Sequence, residues 1–118
     1  MDTRRQDLER KRSTITRALQ TSMRSTRERG ALARVEAAKD PYGSASSAHD
    51  DELAAITMDR LASDLKLIDR ALADLDAGRY GVCIDCEKPI APKRLKALPF
   101  ASRCIECQAR SERFARAA

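Results

Sequence analysis

Four cysteines in the last third of the chain constrain its fold more than any other feature of the sequence. They form two Cys-x-x-Cys pairs, Cys83 with Cys86 and Cys104 with Cys107, separated by 17 residues. Zn²⁺ prefers four thiolates in a tetrahedron, and each pair supplies two sulfurs from a single turn of backbone. The spacing therefore predicts one structural zinc ion held by all four cysteines.

Two disulfide bonds, or a redox-active Cys-x-x-Cys pair, are the alternatives for these residues. Disulfides require an oxidising compartment, but residues 1–12 are highly charged, and no apolar segment follows them as in a signal peptide. The chain also has no apolar run of the roughly 20 residues that span a membrane. We therefore expect a cytoplasmic protein, in which bound metal supplies the stability that the few apolar groups after Cys83 cannot.

An apolar repeat with steps of three and four residues occupies the middle of the chain. It comprises Met58, Leu61, Leu65, Ile68, Leu72 and Leu75. Such a heptad repeat predicts a helix with a coiled-coil seam, which we expect to stop at Gly78. A thinner stripe in the proline-free residues 3–38 predicts a first helix; it is formed by Leu8, Ile15, Leu19 and Met23.

Proline, glycine and serines between these segments indicate a reversal over residues 40–47, with Ser47 as the N-cap of the second helix. Antiparallel pairing about this turn places Leu19 near Ile68 and Ile15 near Leu72. The charges favour the same pairing, because residues 1–39 carry 11 basic against 5 acidic side chains and residues 40–82 carry 4 against 9.

We therefore predict a mainly α fold with two parts. Residues 1–78 form an antiparallel two-helix coiled-coil hairpin, with its tip at about 40–47. Residues 79–118 form a small four-cysteine zinc-finger domain with a terminal helix. No catalytic motif accompanies them, because His49 is the only histidine and a four-thiolate site leaves zinc no open position for a substrate. The protein is predicted not to be an enzyme.

The zinc region and the residues that link its cysteines resemble the DksA/TraR family of bacterial transcription regulators. The resemblance is carried by residues 79–86, by Pro89 and Ile90, by residues 94–99 and by residues 104–107, all following a helical hairpin. It implies binding to bacterial RNA polymerase and modulation of initiation, with the hairpin in the secondary channel and the zinc end against its rim. It implies no sequence-specific contact with DNA.

The family also carries an Asp-x-x-Asp-x-Ala pattern at the tip of the hairpin. Asp40 and Ala45 match this pattern here, whereas Gly43 stands where the second Asp belongs. The resemblance therefore assigns the polymerase contact at the tip to Asp40 and Ala45, with half of the acidic signal missing.

A second departure concerns the alarmone ppGpp. Members that respond to it carry basic or nucleotide-contacting residues at the positions of Leu67, Leu98 and Gln108. Neutral side chains cannot pair with phosphates, so the resemblance predicts weak or absent synergy with ppGpp.

The basic residues of the zinc end admit more than one function. Arg94, Lys96, Arg103 and Arg110 are candidate contacts for polymerase or a nucleotide. The same residues would let a zinc ribbon bind nucleic acid through its phosphates, and the hairpin alone would let the protein act as a coiled-coil adaptor. Of these, we expect the polymerase-binding regulator, acting as a monomer.

Overall fold

The computed structural model describes residues 3–39 and 45–117, which form four α-helices. Helix α1 spans Thr3–Lys39, α2 Ala45–Ala77, α3 Pro92–Ala97 and α4 Ile105–Ala117. Among these residues there is no strand, only an isolated bridge between Val82 and Pro89. None of the helices described is both long and apolar enough to cross a bilayer. The predicted fold class, a helical hairpin followed by a small four-cysteine region, is confirmed.

Packing groups the chain differently from the predicted domains. One compact unit contains residues 3–12 and 66–117, and we call it the zinc unit; the other contains residues 13–39 and 45–65, and we call it the helical unit. The predicted boundary at residue 78 instead separates the two long helices from the cysteine region in sequence order, since α2 ends at Ala77. That boundary stays a prediction.

The two ends of α2 show how its sequence sets its length. Gly78 adopts a φ of +74°, and the amides of Gly78 and Arg79 donate to the carbonyls of Leu75 and Asp74 at 3.2 and 2.8 Å. This is a Schellman cap, which glycine favours because it lacks a Cβ. The prediction of Ser47 as N-cap is wrong, because α2 already begins at Ala45, a residue of the highest helix propensity.

In the zinc unit, the beginning of α1 lies antiparallel to the end of α2. Arg5 forms an ion pair with Asp76, and Arg12 Nε donates to Asp69 Oδ1 at 2.7 Å. Leu8, between these arginines, and Ile68 are both fully buried. Opposite charges thus pair between the two helices, as the charge pattern of the two segments predicted, while each helix also buries an apolar side chain.

The register of this pairing differs from the predicted one. Asp69 faces Arg12, so its neighbour Ile68 lies at the level of Arg12, about two helical turns away from a pairing with Leu19. The predicted register is wrong for Ile68, because the pairs Arg5–Asp76 and Arg12–Asp69 set a different alignment of the two helices. The arginine–aspartate pairs and the burial of Leu8 determine the register instead.

In the helical unit, the predicted seam of α2 is confirmed, because Met58, Leu61 and Leu65 are all half-buried. The stripe on α1 differs in one position: Met23 is 48% exposed, whereas Ser22 beside it is half-buried. The seam on α1 thus continues through small polar side chains, which a search for apolar residues misses.

Gly30 lies inside α1 without a steric reason to be glycine. A Cβ at this position would meet no heavy atom within 4 Å, and Gly30 is not among the residues with positive φ. Because glycine inside a helix costs about 0.5–1 kcal/mol relative to alanine, we expect Gly30→Ala to raise the free energy of unfolding by that amount.

Urea denaturation of the purified proteins measures this change. The matched control is Ala33→Gly at an exposed position of the same helix, which should lower the free energy of unfolding by a similar amount. A loss of stability in Gly30→Ala would show instead that close packing requires the glycine.

The zinc-finger part of the zinc unit has a small core. It consists of Cys83, Ile90, Leu95 and Cys107, with Tyr80, Ala101 and Cys104 packed against it. Gly81 has a φ of +83°, and a Cβ there would approach Leu95 Cδ1 to 3.2 Å. Both the backbone conformation and the close approach of Leu95 therefore require glycine at this position.

Candidate metal centre

The structure brings the four predicted ligands together at one point. The Sγ atoms of Cys83, Cys86, Cys104 and Cys107 all lie within 4.8 Å of one another, and those of Cys86 and Cys104 are 3.9 Å apart. A tetrahedron with Zn–S bonds of about 2.3 Å has sulfurs about 3.8 Å apart. The donor set therefore fits one Zn²⁺ ion.

The first pair of cysteines lies on a tight turn between Gly81 and Ile90. The Cys83 amide donates to the carbonyl of Lys88 at 2.9 Å, and the Glu87 amide donates to the carbonyl of Cys83 at 3.0 Å. Glu87 takes a positive φ of 63° to close the turn. This backbone geometry directs both thiols of the first pair to the same side.

The second pair lies at the start of α4. Cys104 immediately precedes the helix, and its Sγ accepts a hydrogen bond from the Cys107 amide at 3.4 Å. Cys104 is thus an N-cap as well as a ligand. The positive end of the helix dipole favours a thiolate there.

The protonation of the free thiols is uneven in the absence of metal. Burial raises the pKa of Cys83, but hydrogen bonds from the backbone of Cys86, Cys104 and Asp85 outweigh it and lower the pKa to about 6. The hydrogen bond with the Cys104 thiol, together with burial, raises the pKa of Cys107 to about 12. Binding of a zinc ion as four thiolates would release protons from these cysteines, so binding weakens as the pH falls.

Geometry and donor chemistry together identify a structural zinc site. All four cysteines are free thiols rather than disulfides. Four protein ligands fill the coordination sphere, so a bound zinc ion keeps no position for water or a substrate. The predicted cofactor, one structural Zn²⁺, is confirmed.

Two of the four predicted basic contacts are engaged inside the protein. Arg103 Nε donates to Asp85 Oδ2 at 2.7 Å, and Arg94 Nε donates to the carbonyl of Arg103 at 3.0 Å. Lys96 and Arg110 are exposed. These internal roles of Arg94 and Arg103 were not predicted from the sequence. Asp85 and Arg103 each directly precede a cysteine ligand, and this position of two opposite charges is the signal that could have indicated their ion pair.

The predicted tip contacts are not described by the structure. Asp40 lies outside the described residues. Ala45 begins α2, but its side chain is also outside what the structure describes. Their role in binding stays a prediction.

Comparisons of sequence point to one family. Residues 78–113 match the prokaryotic dksA/traR C4-type zinc finger. The chain is 41% identical over 69 residues to the RNA polymerase-binding transcription factor DksA of Caulobacter vibrioides. It is 33% identical over 73 residues to the protein of that name from Haemophilus influenzae. These matches cover 49% and 50% of the relatives, so the chain spans about half the length of the curated relatives it matches.

A solved structure extends the similarity to the helices. The transcription factor DksA2 from Pseudomonas aeruginosa superimposes on the chain with a TM-score of 0.70 at 27% identity. The match covers 98% of this chain and 84% of DksA2. The similarity therefore includes the helical hairpin as well as the cysteine region.

Proposed function

We propose that this chain, a member of the DksA/TraR family, regulates transcription by binding bacterial RNA polymerase and inserting its helical hairpin into the secondary channel. The similarity to DksA2 carries the proposal, because it covers 98% of the chain and includes both the hairpin and the zinc finger. Relatives from two organisms are named as RNA polymerase-binding transcription factors, which supports the same partner.

The proposal gives each part of the chain a different task. A pair of packed helices is only about 20 Å wide, so it suits a pore that excludes a globular domain. The zinc ion stabilises the end of the chain that remains at the rim. The exposed Lys96 and Arg110 are the basic side chains best placed to contact acidic groups there.

The proposal also covers where and how the protein acts. It is a cytoplasmic monomer without enzymatic activity, and it makes no sequence-specific contact with DNA. Synergy with ppGpp is weak or absent, because the neutral Leu67, Leu98 and Gln108 offer no charge to pair with phosphates.

Binding to purified core RNA polymerase tests the proposed partner and the binding site together. We expect the protein to be retained on the polymerase and to be displaced by a transcript-cleavage factor that occupies the secondary channel. Binding to DNA or RNA in the absence of polymerase would favour the nucleic-acid binder. For duplex DNA, the logarithm of the binding constant should then fall with the logarithm of the salt concentration with a slope of about 0.9 per phosphate contact. A stable complex with another coiled coil and none with polymerase would favour the adaptor.

Asp40→Asn separates occupancy of the channel from chemistry at the tip. A carboxylate near the catalytic Mg²⁺ affects transcription through its charge, so we expect the variant to bind polymerase within about twofold of the unaltered protein. Its effect on transcript yield in single-round initiation assays should be lost.

The matched control is Asp59→Asn, which removes one exposed carboxylate from α2 and should leave both measurements unchanged. If Asp40→Asn instead abolishes binding to polymerase, the tip is a determinant of affinity. The proposed separation between binding and tip chemistry would then be wrong.

A further inference from the structure

The four zinc ligands are held in place by two different kinds of interaction. Cys83 and Cys107 are buried in the apolar core with Ile90 and Leu95. Cys86 is exposed and Cys104 is only half-buried. Apolar packing therefore holds Cys83 and Cys107 most tightly, whereas Cys104 only packs against this core from outside and Cys86 is not part of it.

An ion pair joins the two loops beside these less buried ligands. Asp85 directly precedes Cys86 and Arg103 directly precedes Cys104, and Arg103 Nε lies 2.7 Å from Asp85 Oδ2. The Sγ atoms of Cys86 and Cys104 are 3.9 Å apart. The ion pair thus connects the backbone immediately before the two less buried ligands.

Two further hydrogen bonds strengthen the same connection. Arg94 Nε, from α3, donates to the carbonyl of Arg103 at 3.0 Å. The Ile84 amide donates to the carbonyl of Ser102 at 2.9 Å. The loop before Cys104 is therefore held on one side by the first cysteine turn and on the other by α3.

We propose that Asp85 and Arg103, supported by Arg94, are positioning residues for zinc that determine how fast the metal is released. Release of a bound zinc ion would require ligands to dissociate, and Cys86 and Cys104 are the less buried pair that solvent and a chelator reach more easily. The ion pair would keep their two loops together, so that a thiolate released from the metal stays close to it. Arg103 also offsets part of the net charge of −2 on zinc with four thiolates. This inference does not depend on the polymerase proposal.

The rate of zinc transfer to an excess of a chromogenic chelator, measured on the full zinc-loaded chain, tests the proposal. We expect Arg103→Gln and Asp85→Asn each to accelerate release about tenfold, the lower end for outer-shell partners of metal ligands, because the pair is partly exposed to solvent. The double variant should be no faster than Arg103→Gln alone, because that change already removes both the ion pair and the charge of Arg103. Salt should accelerate release from the unaltered chain but not from the double variant.

Arg110→Gln is the matched control. Arg110 lines an open cavity of about 290 Å³ with Asp85, Cys107, Ser111 and Phe114, so its charge is near the same centre without bridging the two loops. We expect release from this variant to change by less than about twofold. An equal acceleration in Arg110→Gln would overturn the proposal in favour of a general effect of charge.

The release rates of the Arg103 and Asp85 variants can also contradict the proposal. Release rates in Arg103→Gln and Asp85→Asn within twofold of the unaltered chain would overturn the proposal. If Arg103→Gln loses zinc during purification, Arg103→Lys replaces it, since lysine keeps the charge but not the planar donor. An acceleration of about threefold in Arg103→Lys would then support the proposal, and an unchanged rate would overturn it.

Discussion

Cys83→Ser is expected to abolish stoichiometric zinc binding and to unfold the zinc-finger part of the chain. Serine is a poor zinc ligand, and Cys83 is almost completely buried in the core that surrounds the site. Metal binding supplies about 10–16 kcal/mol in zinc-finger peptides, more than the small apolar core here can replace. Elemental analysis should find no bound zinc, and amide hydrogen exchange should show loss of protection over residues 79–117.

The unfolding should extend to the beginning of α1. Arg4 donates to the carbonyl of Leu95 at 3.5 Å, and the Lys11 ammonium lies 5.7 Å from the centre of the Phe100 ring. These contacts join residues 3–12 to the zinc finger within the zinc unit. We therefore expect amides of residues 3–12 to lose protection together with those of the zinc finger.

Ile105→Ser is the matched control for this prediction. It introduces the same residue beside a ligand, but Ile105 is 62% exposed and contributes no donor atom. Zinc content and melting temperature should be nearly unchanged in this variant. A Cys83→Ser protein that retained one zinc per chain at an unchanged melting temperature would contradict a four-thiolate structural site.

The sequence was sufficient to predict the elements whose causes are local. The spacing of Cys83, Cys86, Cys104 and Cys107 restricts the metal and its geometry, because few other arrangements bring four sulfurs to one ion. The heptad repeat gives the seam of α2, and Gly78 ends that helix because its φ is positive. Each of these features depends on the spacing and type of residues, which can be read directly from the sequence.

The pairing of the helices was not predictable in the same way. The register depends on which of several possible arginine–aspartate pairs form. Other aspartates lie on α2 within two helical turns of Asp69, so the sequence alone does not show which of them pairs with Arg12. The contacts of α1 with the zinc finger add a constraint that a helix pattern alone does not contain. Ser22 is half-buried on α1, whereas the predicted seam residue Met23 is exposed. A search for hydrophobic residues does not find a seam position that a small polar side chain occupies.

The internal use of Arg94 and Arg103 was missed for a related reason. A basic side chain looks the same in sequence whether its partner belongs to the protein or to another molecule. Only the distances from Arg103 to Asp85 and from Arg94 to the Arg103 carbonyl separate the two cases. Lys96 and Arg110 are exposed, and contact of any of the four basic residues with a partner stays a prediction.

Leu8→Ala is expected to cause a large loss of stability while leaving the metal ligands intact. Leu8 is fully buried, and truncating a buried leucine costs about 2–5 kcal/mol through lost transfer energy and the cavity that remains. For a domain of this size, a loss of about 3 kcal/mol lowers the melting temperature by about 10–15 °C. Circular dichroism during heating measures the shift.

Leu32→Ala on the same helix provides the control, because Leu32 is 64% exposed and its truncation should change stability by less than about 0.5 kcal/mol. Zinc content should remain at one ion per chain in both variants at 25 °C, since neither residue is a ligand. A Leu8→Ala protein as stable as Leu32→Ala would mean that the beginning of α1 contributes no core to the zinc unit. The ion pairs of Arg5 and Arg12 with α2 would then be surface contacts, each worth at most about 1 kcal/mol.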